Sequence, residues 1–198
     1  MTSWNSCDAN TGWAYSEGGT VGIDSTTKYQ GTGSIKLKKT ATVLAYSGTS
    51  KTDMTSISIS TTVGCITVKL YIVDQATKDK LGSEFLYIGS SADNSNSGYW
   101  VWSPASIPVA TWTTLVFPWA NRTGNFGTPN AAALIFFSLY VGVTTAATTY
   151  TEGSILMDDI QYGTPTTLKI GGTSLYQIAK AGGKVNTSLG KVGSVTVF

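Results

Sequence analysis

Short runs in which apolar and polar residues alternate, each closed by Gly, Asn, Asp or Pro, recur along most of this chain and constrain its fold more than any other feature. "GSIKLKK" (33–39), "TVLAYSG" (42–48), "SISIST" (56–61), "CITVKLYIVD" (65–74), "EFLYIGS" (84–90), "YWVWSP" (99–104), "WTTLVFPW" (112–119), "ALIFFSLYVGV" (133–143) and "SILMDDIQYG" (154–163) all read as strands. At least nine strands before residue 164 suffice for two packed sheets around one core. Between them, "SSADNSNSG" (90–98) and "NRTGNFGTPN" (121–130) are turn material. The 22 Gly, 11% aromatic and only 12% charged residues suit pleated, half-buried surfaces, and helical periodicity is nearly absent. The expected class is all-β, a two-sheet antiparallel sandwich.

After "QYGTPTT" the character changes. Pro165 and its flanking threonines make a joint, and "LKIGGTSLYQIAKAGGKVNTSLGKVGSVTVF" is Gly-rich with too little apolar surface for its own core. The expected organisation is therefore a sandwich over 1–163 and a β-rich C-terminal segment over 164–198 that needs a partner, either the main domain or another chain. That segment carries Lys169, Lys180, Lys184 and Lys191 and no acid, whereas all 11 acidic residues precede it. Four dispersed lysines and a single arginine, Arg122, argue against nucleic-acid readout. No run reaches the ~20 apolar residues of a membrane helix, and "MTSWNSCDANTGW" has neither the basic start nor the apolar stretch of a secretory signal. Cys7 and Cys65 either pair or stay reduced as small core residues, and their spacing fits no metal site.

Catalysis has little support. The chain has no histidine, which removes Ser-His-Asp and Cys-His arrangements and His-based metal centres. A glycosidase needs two facing carboxyls roughly 5–9.5 Å apart, and the adjacent Asp158 and Asp159 diverge if the strand alternates regularly. The aromatic run "SGYWVWSP" offers instead a surface for pyranose rings, with Tyr99 and Val101 on one face and Trp100 and Trp102 on the other. Trp119, at the start of a long loop, is a further candidate. For each of these the competing reading is core packing or, for Trp119, a loop anchor.

Taken in order, "CDANTGW" (7–13), "YQGTGSIKL" (29–37), "WTTLVFP" (112–118), "GTPN" (127–130) and "ILMDDIQYG" (155–163) resemble the jelly-roll domains of carbohydrate-binding modules and of bacteriophage virion proteins. The resemblance covers residues 4–163 and implies a jelly-roll β-sandwich in which Trp13 and Trp112 are structural. It also implies a structural Ca²⁺ held by Asp158 or Asp159, by Asp8, and by carbonyls of the loop around Gln30 and Thr32. Ca²⁺ takes six to eight oxygens at ~2.4 Å and would compensate a buried carboxylate. The competing reading is that both acids accept hydrogen bonds from loop amides. Three functions follow from the resemblance as expectations. The leading one is a virion component, a capsid decoration or tail accessory protein assembled in the host cytoplasm, which would dock through residues 164–198 on other virion proteins or on a second copy of the chain and could meet a cell-surface glycan. The alternatives are a secreted carbohydrate-binding module and a polysaccharide lyase or hydrolase.

Overall fold

The computed structural model describes residues 1–164 and the backbone of residues 169–170, 173–174 and 195–197. Its strands are β1 (Thr2–Asn5), β2 (Trp13–Tyr15), β3 (Ile23–Asp24), β4 (Ser34–Lys39), β5 (Tyr46–Lys51), β6 (Cys65–Ile72), β7 (Glu84–Gly89), β8 (Ser97–Trp102), β9 (Thr113–Pro118), β10 (Gly124–Phe126), β11 (Phe136–Gly142), β12 (Tyr150–Gly163), β13 (Lys169–Ile170), β14 (Thr173–Ser174) and β15 (Val195–Val197). One short helix, α1 (Gln75–Lys78), is capped by the Asp74 carboxylate, which accepts the Thr77 amide.

All of these strands except β13 and β14, which pair with one another, form two facing sheets. Sheet A runs β15-β9-β6-β12-β4-β3, with β1 also on β12, and sheet B runs β10-β8-β7-β11-β5-β2. Among the described residues the strand pairings are antiparallel except β15 on β9, which is parallel with Val195 opposite Thr114. The alternation seen in the sequence is the reason for this layering: in β6, Ile66, Val68, Leu70 and Ile72 turn inward while Lys69 and Tyr71 turn out. Leu86, Ile88, Trp100, Phe117, Leu115, Phe137 and Leu139 complete a common core from both sheets. The all-β, two-sheet sandwich expected from the sequence is thus the observed class.

Two strand expectations are corrected. "SISIST" forms no strand. It makes a single bridge, Ile57 to Leu134, and closes one part of the core by burying Ile57 and Ile59. "TVLAYSG" shifts C-terminally: β5 starts at Tyr46, and Val43 and Leu44 lie exposed in the preceding loop. Cys7 and Cys65 are both buried and unpaired with each other. The docking role expected of residues 164–198 falls mostly outside the described residues. β13 and β14 pair with one another, and β15 lies on an edge strand of this chain's own sheet A.

Candidate functional site

Sheet B presents a strip of aromatic rings on its outward face. Tyr46 (β5), Tyr140 (β11), Phe85 and Tyr87 (β7), Tyr99 (β8) and Phe126 (β10) occupy outward positions on five consecutive strands. Successive ring centroids lie 5.8 Å apart for Tyr46–Tyr140, 5.4 Å for Tyr140–Tyr87, 6.0 Å for Tyr87–Tyr99 and 5.3 Å for Tyr99–Phe126. Phe85 stacks beside Tyr87 at 6.3 Å. Four inter-strand spacings make the strip roughly 19 Å long, running across the strands.

Two of the rings, Tyr140 and Tyr99, sit close over the sheet because Gly48 and Gly124 leave room beneath them. A Cβ on Gly48 would meet the Tyr140 ring at 2.6 Å, and one on Gly124 would meet the Tyr99 ring at 2.9 Å. Tyr46 and Phe126 at the two ends are 43% and 46% exposed, and the rings between them are half-buried. The outward positions of these five strands carry no charged side chain. Burial, then the neighbouring phenols, hold the Tyr87 and Tyr140 hydroxyls above their ordinary pKa, so both stay neutral donors and acceptors at neutral pH. At the β5 end the strip runs into a groove lined by Val43, Leu44 and Glu17, where Glu17 Oε2 accepts the Thr40 and Ala41 amides and fixes that loop.

Of the aromatic residues singled out from the sequence, Tyr99 belongs to this strip. Trp100, Trp102 and Trp119 do not: they are 1%, 5% and 2% exposed, and this corrects their assignment as sugar-stacking residues. Trp100 and Trp102 face inward between the sheets. Trp100 packs at 5.8 Å on Trp119 and donates its Nε1–H to the Pro118 carbonyl at 3.1 Å, and the Arg122 guanidinium covers a face of Trp119 at 4.8 Å. None has a free face to offer. The residues that sequence reasoning missed are Tyr46, Phe85, Tyr87, Phe126 and Tyr140. Their signal is present on single strands, since Phe85 and Tyr87 alternate with Glu84, Leu86 and Ile88, but the strand order that lines them up is not local.

The acids expected to hold Ca²⁺ do come together, with a different arrangement of partners. Asp158 Oδ2 accepts the backbone amides of Tyr29 (2.7 Å) and Gln30 (3.2 Å), and Oδ1 accepts that of Asp159 (2.7 Å). Asp159 accepts the side-chain amides of Gln30 and Gln161. Asp8 accepts the amides of Thr32 and Gly33 and the Thr32 hydroxyl. The divergence expected of adjacent strand residues fails because β12 bulges between Asp158 and Gln161, with Asp159 at φ +45°. Both acids therefore reach the same loop. The donor set does not fit a cation cage: the loop turns N–H groups, not carbonyls, toward Asp158 and Asp8, and among the described residues no group of three or more acids, cysteines or histidines is placed to hold a metal ion. Amide donors supply the compensation that a buried carboxylate requires. Burial still pushes Asp158 upward, against the pull of the amides, whereas the Thr32 amide leads in holding Asp8 below its ordinary value.

No protein-family model matches this sequence, and no curated protein matches it. Solved structures share the fold. The family 30 carbohydrate-binding module of a Clostridium thermocellum cellulosomal cellulase superposes with a TM-score of 0.57 at 11% identity, covering 83% of this chain and 98% of that one. A second family 30 module gives 0.54 at 12% identity, covering 86% and 89%. An exo-β-agarase gives 0.54 at 11% identity over 83% of this chain, which spans 24% of the agarase. At such identities the likeness establishes the β-sandwich.

Proposed function

We propose that the protein is a non-catalytic carbohydrate-binding domain whose sheet B face takes a neutral polysaccharide chain. One observation carries the reading: five strands line up Tyr46, Tyr140, Tyr87, Tyr99 and Phe126 into a continuous strip with centroid steps of 5.3–6.0 Å. Aromatic faces stack on pyranose rings and phenol hydroxyls bond their edges. A strip of roughly 19 Å suits a chain of several sugar units better than a single terminal sugar, and the absence of outward charge on its strands favours an uncharged one. The family 30 modules named above are carbohydrate-binding by description and share the sandwich, which lends the reading further support.

This was the alternative drawn from the sequence, and it now leads. The virion role rested on the sequence resemblance, with residues 164–198 as its docking element; that segment lies mostly outside the described residues, and the structures named above are not virion proteins. A hydrolase or lyase is not favoured by a strip whose strands present no outward carboxylate. The test is affinity electrophoresis of the protein through soluble neutral polysaccharides, namely xylan, mixed-linkage glucan and agarose. Retardation that is abolished in Tyr87→Ala and Tyr140→Ala supports the assignment. No retardation by any of them, or retardation unaffected by both substitutions, overturns it.

A further inference from the structure

The opposite face of the sandwich carries a second aromatic group that the strip leaves unexplained. On the outward side of sheet A, Trp112 stands between Tyr71, at 5.3 Å, and Tyr29, at 6.2 Å. Tyr71 and Trp112 are half-buried, Tyr71 lying opposite the buried Leu156 on the neighbouring strand, whereas Tyr29 is 46% exposed. The Lys69 ammonium lies 4.0 Å from the Tyr29 ring centroid and donates to Thr114 Oγ1 at 2.6 Å. Of its three N–H donors, one is used by Thr114 and one side of the group faces the ring. No carboxylate lies within ion-pair distance of Lys69 among the described residues, where the ion pair is Lys51–Asp53.

Tyr29 is held in place from beneath. Its amide donates to the buried Asp158 carboxylate, the next amide does the same, and Asp159 takes the Gln30 side chain. A short turn presenting one exposed ring is thus fixed by two carboxylates that are themselves buried. Such rigid support from outside the contact layer is what a preformed recognition surface requires, and packing against the sheet alone would need neither the exposed Tyr29 ring nor an ammonium without a carboxylate beside it.

From this arrangement we infer that Tyr29, Trp112 and Lys69 form a second binding site, for an acidic saccharide unit: the rings take the sugar face and the Lys69 ammonium takes a carboxylate or sulfate group. The site is separate from the sheet B strip and does not depend on the strip's ligand. It would let one domain hold two chains, one neutral and one charged, on opposite faces.

The test uses the full chain in isothermal titration at low salt with three probes: an oligogalacturonate, a sulfated galactan oligosaccharide and a neutral cello-oligosaccharide. At least one acidic probe binds, with an affinity that falls as salt rises. Lys69→Gln, which keeps a donor for Thr114, lowers that affinity about tenfold, the effect of one lost charge contact. Tyr29→Ala abolishes it, and Tyr87→Ala leaves it unchanged. The inference is overturned if neither acidic probe binds, if Lys69→Gln binds as well as the parent, or if Tyr87→Ala removes the binding and so assigns it to the strip. Should Tyr29→Ala fail to fold, Lys69→Gln decides alone, and the uronate and sulfate arms tell which acid is read.

Discussion

The Asp158 carboxylate accepts the backbone amide of Tyr29 at 2.7 Å across 129 residues of sequence. This contact ties the last long strand of sheet A to the turn that leads into β4, and it explains why a strand in the core carries two adjacent acids. Asp158 also takes the amides of Gln30 and Asp159. Replacing Asp158 by Ala leaves three amide donors without their acceptor in a buried site. Unmade bonds of this kind cost about 1–3 kcal/mol each when the group stays dry, so a total loss of about 3 kcal/mol is expected in urea unfolding. A loss under about 1 kcal/mol would show that water replaces the carboxylate readily.

Since amide donors already compensate Asp8, Asp158 and Asp159, metal removal should not unfold this corner. A ligand bound only to the native state raises stability by mass action, so calcium held here would show as a higher melting temperature. The expected result is the same melting curve in EDTA and in millimolar Ca²⁺. A rise of several degrees with Ca²⁺ would return the ion to this site and require the loop at 29–33 to turn its carbonyls inward.

The strands were legible because burial in a sandwich is written directly as alternation: Ile66, Val68, Leu70 and Ile72 could be assigned to one face without any partner strand. The strip was not, because its six rings come from five strands whose order, β10-β8-β7-β11-β5, follows from pairing between distant segments. Local density pointed elsewhere. Trp100 and Trp102 make the richest aromatic stretch, yet their parity places them inside, and only Tyr99 on the same strand faces out. For Asp158 and Asp159 the resemblance brought together the right residues, and the bulge at Asp159 changed what they do, since a left-handed residue in a strand breaks the alternation from which their divergence was inferred.

Core and strip tryptophans and tyrosines should separate cleanly in mutagenesis. Trp100→Ala empties a fully buried position and is expected to cost about 3–5 kcal/mol. Tyr87→Ala removes a half-buried ring from an outer face, so its cost should stay well below that while glycan retardation disappears. Paired measurements of unfolding and binding on both variants check this. A Trp100→Ala protein of nearly parental stability would contradict the inward placement, and a Tyr87→Ala protein as damaged as Trp100→Ala would make the strip structural.

Glu84 gives the fold a pH dependence of predictable sign. Its side chain lies inside the sandwich, 1% exposed, opposite Trp102 on the neighbouring strand. Oε2 accepts the Gly142 amide at 2.9 Å, while Oε1 and the Tyr150 hydroxyl are buried without hydrogen-bond partners among the described residues. Burial drives its carboxyl well above the ordinary range, against a smaller pull from the Gly142 amide, and Glu84 in turn adds to the rise of the Tyr150 phenol. A carboxyl that titrates higher in the folded state contributes its full share of stability below the unfolded value of about 4.3. That share is lost as pH rises toward and through the folded value, at up to about 1.4 kcal/mol per pH unit. Glu84→Gln retains an acceptor for Gly142 and cannot ionise. Urea unfolding at a series of pH values should therefore show parent and variant closest near pH 4, with the variant gaining on the parent as pH rises to 8. Parallel stability profiles over that range would mean that Glu84 titrates as in the unfolded chain and is reached by water.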